Sequence, residues 1–115
     1  MAYEVEGTDE FANWYGDLAG DEQERVNFSV GLLEELGPAL GRPHADTVRG
    51  SVYANMKELR VQVAGRPIRI FYAFDPRRIG ILLIGGDKTG DKLFYDRMVP
   101  QADALYAQHL YEIED

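Results

Sequence analysis

The spacing of apolar residues divides the chain into segments of different period, and each period predicts an element. Tyr3 to Val5 reads as a short strand followed by a turn at Gly7. From Thr8 onward Phe11, Trp14, Tyr15 and Leu18 recur at helical spacing, with Asp9 and Glu10 in the first turn where they favour the helix dipole. That helix is expected to end near Gly20. Asp21 as N-cap, Glu24 behind it, and the stripe Val26, Val30 and Leu33 predict a second helix that Gly37-Pro38 terminates, completing a helical hairpin. Residues 38–55 contain Pro38, Gly41, Pro43 and Gly50 with little periodicity and are expected to form a surface loop.

The period then changes to that of a strand. Leu59, Val61 and Val63 alternate with Glu58, Arg60 and Gln62. Gly65-Arg66 is expected to close a hairpin, beyond which Ile68, Ile70, Tyr72 and Phe74 share one face and Arg69, Phe71 and Ala73 the other. Asp75-Pro76-Arg77-Arg78 reads as a second turn, and Ile79 to Ile84 as an apolar strand covered on both faces. Gly85 to Lys92 is expected to be a loop. Pro100 suits the first turn of a last helix whose packing stripe is Ala102, Leu105, Tyr106, His109, Leu110 and Ile113. The predicted order is β-α-α-β-β-β-α, an α+β fold with an antiparallel meander in a single domain over residues 1–115.

Composition narrows the chemistry. A chain of 115 residues can bury a core without metal or disulfide support. Absence of cysteine removes thiolate metal sites and cysteine nucleophiles, and the lone His44 and His109 have no metal-ligand spacing, so neither metal nor cofactor is expected. His44 is expected to be exposed in its loop and His109 to lie at the edge of the core. The longest apolar run, Ile79 to Ile84, is far short of a membrane span, and Glu4, Glu6, Asp9 and Glu10 stand where a signal peptide would be basic. The expectation is a soluble cytoplasmic domain, and its net charge of −8 argues at first against nucleic acid.

The distribution of charge revises that picture. Residues 1–48 carry eleven acids and two bases, residues 49–97 ten bases and five acids, and the last 18 residues four acids and no base. The central bases read either as solvated strand edges and turns or as a local basic surface, which remote acids leave intact because the Debye length is about 8 Å. With Gly65-Arg66 as the turn, Gln62 lies opposite Arg69 and Arg60 opposite Phe71. Arg60 and Arg69 are then diagonal neighbours on one face, joined by Leu82, Ile84, Gly86 and Lys88 from the next strand. Guanidinium pairs bind phosphate oxygens bidentately. In RNA cleavage by the ribose 2′-hydroxyl, such cations offset charge developing on the phosphate, and a lysine or carboxylate can move the protons.

Met56-Lys57-Glu58-Leu59-Arg60, Arg69-Ile70-Phe71-Tyr72-Ala73-Phe74-Asp75, Ile81 to Lys88 and Pro100-Gln101-Ala102-Asp103 together resemble the HigB-type branch of the RelE/ParE toxin superfamily, phage-derived members included. The resemblance spans roughly residues 52–110. It implies the RelE-like, microbial RNase-like fold, with a helical hairpin on one sheet face and the active cleft on the other. It further implies a toxin of a type II toxin-antitoxin system, a metal-independent mRNA endoribonuclease acting on ribosome-bound messenger. The implied partner is a cognate helix-turn-helix antitoxin of HigA type. Carried over by position, the catalytic residues are Lys57, Arg60, Arg69 and Lys88. Glu58 and Arg66 are further expected RNA contacts; in the stretch that departs from the family, Lys92 and Tyr95 read either as a phosphate contact and a base-stacking ring or as a mobile surface loop with a packing tyrosine. Glu58 is either a base or the ion-pair partner of Arg60. The chain departs from the family pattern at Gly85 to Val99, where Gly-Gly-Asp-Lys-Thr-Gly-Asp-Lys replaces an aromatic residue and paired lysines. Two alternatives remain: a ParE-like inhibitor that contacts DNA gyrase without catalysis, and a decayed toxin that only binds its antitoxin. On the enzymatic reading, the overall acidity restricts capture of free RNA and favours messenger presented by the ribosome.

Overall fold

A computed structural model describes residues 2–114. Thr8 sets the entry to the first helix: its hydroxyl accepts the Phe11 N–H at 3.0 Å and donates to the Leu83 carbonyl at 2.6 Å, tying the cap to the sheet. Helix α1 (Asp9–Gly16) is followed by α2 (Gly20–Leu36). The cap of α2 is Ala19, not Asp21. Glu22 reaches back to accept the Ala19 N–H at 2.8 Å, so the carboxylate two residues before Glu24 sets the frame of the helix. Gly37, at φ +59°, ends α2 as expected and opens a short 3-10 turn, Gly37–Ala39.

The sheet has five strands in the order β1-β5-β4-β3-β2, formed by β1 (Val5–Gly7), β2 (Ala45–Thr47), β3 (Lys57–Val63), β4 (Arg66–Phe74) and β5 (Gly80–Asp87). The expected meander is its centre. β1 adds a parallel edge beside β5, and β2, inside the segment expected to be loop, adds an antiparallel edge beside β3. Three residues are too few to show a strand period, so β2 depends on the ladder offered by β3.

Two registers differ from expectation. Ala64 and Gly65 both have positive φ, +50° and +79°, as a type I′ hairpin turn requires. Those two residues therefore form the turn, Arg66 begins β4, and Arg60 pairs directly with Arg69. On the other side of β4, Phe71 pairs with Ile84 and Tyr72 with Leu82, leaving Leu83 as an extra residue in a bulge. The bulge turns Leu82 to the side of Tyr72, away from the face on which it was expected.

Hydrophobic residues fill both sheet faces. Leu59, Val61, Val63, Ile68, Ile70, Tyr72 and Leu82 pack beneath α1 and α2, joined by Phe11, Val26 and Leu33. On the opposite face Phe71, Ala73, Ile81 and Leu83 pack against Phe94, Met98, Val99, Ala102 and Tyr106 of α3 (Phe94–Ile113). The face expected to be an open cleft is thus covered by α3 over β4 and β5. Pro100 lies inside α3, whose first turns hold Phe94 and Met98 in that core; the proline sits on the solvent side, where water can serve the carbonyl it leaves unpaired. Gly85 and Gly86 belong to β5 and not to a loop. A Cβ at Gly85 would lie 2.5 Å from the Trp14 ring on one side, and one at Gly86 would lie 2.9 Å from the Phe94 ring on the other, so aromatic packing on both faces requires glycine there.

Candidate active site

Alternation in β3 places Glu58 and Arg60 on the face away from the helical hairpin, and β4 brings Arg69 opposite Arg60. Like charges in directly opposed positions repel, and Glu58 offsets them. Its carboxylate Oε2 lies 3.4 Å from Arg60 Nε, and Oε1 lies 3.7 Å from Arg69 Nε. The same Oε1 accepts the Tyr95 hydroxyl at 2.7 Å. Glu58 is 3% exposed and Arg69 8%, whereas the Arg60 side chain is 36% exposed. Asp46 of β2 extends the row, pairing with Arg60 at 3.3 Å and Arg42 at 2.9 Å, and the Arg42 hydrogen bond holds its carboxyl below the usual range.

Lys88, just past β5, places its ammonium 5.1 Å from the centroid of the Tyr95 ring. Burial, followed by the Glu58 carboxylate, pushes the Tyr95 phenol above its ordinary value, so it stays protonated and donates to Glu58. The Tyr95 ring is also packed edge-on against Phe71 and Phe94. The phenol is thus a hydrogen-bond donor to Glu58, and its ring packs against two phenylalanines. Arg42, Arg60, Arg69 and Lys88 outnumber Asp46 and Glu58, leaving the row with a positive excess. Arg60 and Lys88 can meet an anion from solvent, with Arg69 behind them.

The structure turns Lys57 and Arg66 away from this row. Lys57 has the opposite parity, shares the face of Leu59, and donates to the Pro38 carbonyl at 3.2 Å, where it helps close α2. Arg66 joins Glu22 at 2.7 Å and Asp87 at 3.3 Å, locking the first hairpin to the start of α2. Lys92 is exposed on the turn leading into α3, just ahead of Tyr95. Asp46 is missed by sequence reasoning because β2 has the pattern of a loop. The Tyr95–Glu58 bond is missed because the pattern starts α3 at Pro100.

His109 also has a partner that its position on the helix stripe does not reveal. Its Nε2 lies 2.8 Å from Asp75, a buried carboxylate that also receives the Arg77 side chain and the Arg77 and Ile79 amides. A groove of about 550 Å³ lies beside it between Thr8–Glu10 and α3. Glu6, Asp9, Glu10 and Glu112 give that groove the wrong sign for a phosphodiester, so the arginine row is the better candidate. Among the described residues no His, Asp and Glu group is arranged to hold a metal ion, and no helix is long and apolar enough to cross a membrane.

Comparison with known proteins agrees with the resemblance. Solved structures give the class: a double mutant of the Escherichia coli toxin RelE in the free state superposes with a TM-score of 0.58 at 12% identity, covering 85% of this chain and 96% of that RelE chain. The same toxin in the intact RelBE toxin-antitoxin complex gives a TM-score of 0.56 at 12% identity, covering 74% and 95%. At that identity the likeness defines the RelE fold. Sequence gives the family. Residues 13–107 match the phage-derived protein Gp49-like family. HigB3 of Mycobacterium tuberculosis, named as a toxin, is 50% identical over 91 residues, 78% of this chain and 78% of HigB3. HigB2 of the same organism, also named as a toxin, is 46% identical over 104 residues, 89% of this chain. The chain spans 52% of the length of HigB2, about half. The chain therefore belongs to the phage-derived Gp49-like family and is a relative of the HigB toxins, with the RelE fold.

Proposed function

We propose that this protein is the toxin of a type II toxin-antitoxin system and cleaves messenger RNA, on the ribosome, until a cognate antitoxin of HigA-like, helix-turn-helix type neutralises it. The observation that carries the reading is the direct pairing of Arg60 and Arg69 on one sheet face, with Lys88 across the Tyr95 ring. Family membership supports it, as do the toxin names of HigB2 and HigB3 and the antitoxin complex formed by RelE. In the proposed reaction the ribose 2′-oxygen attacks phosphorus and the bond to the 5′-oxygen breaks, leaving a 2′,3′-cyclic phosphate and a 5′-hydroxyl. Arg60 and Arg69 offset the charge that builds on the non-bridging oxygens, the 2′-hydroxyl proton passes to water, and Lys88 gives a proton to the leaving 5′-oxygen and regains one from water. Glu58 orients the two arginines. Lys57 has no part in the step, since it lies on the other face.

Induction in Escherichia coli with primer-extension mapping tests the reading. Growth arrest with discrete cuts in messenger is expected, and Arg60→Ala, a half-exposed position, removes both while the protein stays folded. Arrest with a DNA-damage response and no cuts would replace cleavage by contact inhibition of gyrase. Harmless expression without cuts would reduce the protein to an antitoxin binder.

A further inference from the structure

Arg42 precedes β2 in the chain, yet its guanidinium joins the arginine row. Its Nε and Nη2 reach Asp46 Oδ2 at 3.0 and 2.9 Å, and Arg60 Nη2 reaches the same oxygen at 3.3 Å. Asp46 pairs with Glu58 across the β2–β3 ladder, so this oxygen belongs to the face that carries Glu58 and Arg60. The Arg42 side chain is 75% exposed and that of Arg60 36%, and neither Nη1 has a hydrogen-bond partner among the described residues. Each guanidinium therefore keeps N–H groups that an anion from solvent can reach.

A single anion placed between the two guanidinium groups would meet the Asp46 carboxylate, which occupies that place and repels it. The alternation of positive, negative and positive charge makes two anion sites instead, one on each side of Asp46. Single-stranded RNA presents its anions in that manner, one per nucleotide in series. β2 is an edge of the sheet, so RNA that crosses the row leaves past Arg42 without meeting another strand.

The proposed reaction gives the RNA a direction. Lys88 protonates the leaving 5′-oxygen, which belongs to the nucleotide on the 3′ side of the cut. Across the sheet Lys88 stands just past β5 and Arg42 beside β2, with Arg69 and Arg60 between them. The 5′ side of the substrate therefore lies toward Arg42.

We infer that Arg42 binds the phosphate on the 5′ side of the scissile phosphodiester, in a subsite that Asp46 divides from that of Arg60. This rests on the RNA-cleavage reading above and adds to it a second subsite and a polarity.

The test uses the intact protein in excess over messenger programmed on ribosomes, in single-turnover cleavage at the site mapped by primer extension. Arg42→Ala should raise the half-saturating protein concentration about fivefold and leave the maximal rate within about twofold. A residue that merely held Arg60 in place through Asp46 would lower the maximal rate instead. With an uncharged methylphosphonate at the linkage 5′ of the cut, the wild type should show a similar rise and Arg42→Ala no further one. With the methylphosphonate at the linkage 3′ of the cut, its penalty and that of Arg42→Ala should add. Unchanged half-saturation in Arg42→Ala, a fall in maximal rate alone, penalties that add at the 5′ linkage, or penalties that fail to add at the 3′ linkage each overturn the inference while cleavage stands. A wild-type protein that makes no cut removes the nuclease reading and this subsite with it.

Discussion

Arg60 and Arg69 stand directly opposite each other across the β3–β4 ladder, and the carboxylate of Glu58 faces both of them. Two guanidinium groups so placed are stable only with a counter-charge, and burial of Arg69 raises what its loss would cost. Glu58→Ala should therefore destabilise the fold by about 3 kcal/mol, seen as a lower urea midpoint with an unchanged slope. A midpoint equal to that of the wild type would mean that the arginines do not depend on Glu58.

The two lysines assigned to catalysis on resemblance part company in the structure. On the proposed reaction, Lys88→Ala should lower the rate of messenger cleavage by roughly 10²-fold, the lower end of what a positioned proton donor or acceptor contributes. Lys57→Met should leave the rate within about twofold, since its ammonium contacts the Pro38 carbonyl on the far side of the sheet. Single-turnover cleavage of a defined messenger by each purified variant checks both, and equal losses would return Lys57 to the site.

Asp75 ties the β4–β5 turn to α3. Burial pushes its carboxyl up, but His109, the Ile79 amide and Arg77 outweigh burial and hold it below the ordinary value of 3.8. A carboxyl lowered on folding contributes stability above its unfolded value, and that contribution is lost as pH falls through the folded value. Asp75→Asn should cost about 2 kcal/mol at neutral pH. The gap between variant and wild type should close as pH drops below 3.8, as read from urea midpoints at a series of pH values. A gap that persists unchanged in acid would show that the charge of Asp75 is not what holds the turn.

Face assignment in the central strands is a local property, legible in the alternation of residues along β3 and β4. Leu59, Val61, Val63, Ile68, Ile70 and Tyr72 all turn to the helical hairpin, and Glu58, Arg60 and Arg69 turn away from it. The hairpin helices and the glycine that ends α2 follow from period and turn chemistry in the same way. Register is not legible in this way. Moving the turn from Gly65-Arg66 to Ala64-Gly65 shifts the pairing by two positions along β4, which preserves every face but turns a diagonal arginine pair into a direct one. The site depends on elements whose signals are too short or too ambiguous: the three residues of β2 that supply Asp46, the bulge at Leu83, and the early start of α3 that supplies Tyr95.

The family, the helical hairpin and the charged face of β3 and β4 are properties of the sequence alone, because strand and helix periods are written in neighbouring residues. Burial of Arg69, the sharing of Glu58 between two arginines and a tyrosine, and the isolation of Lys57 belong to the tertiary structure. Those outcomes depend on how α3 closes over β4 and β5, with Phe94 against Gly86 and Tyr95 against Glu58. Such contacts join residues on different elements, and their geometry is set by packing that no local period encodes.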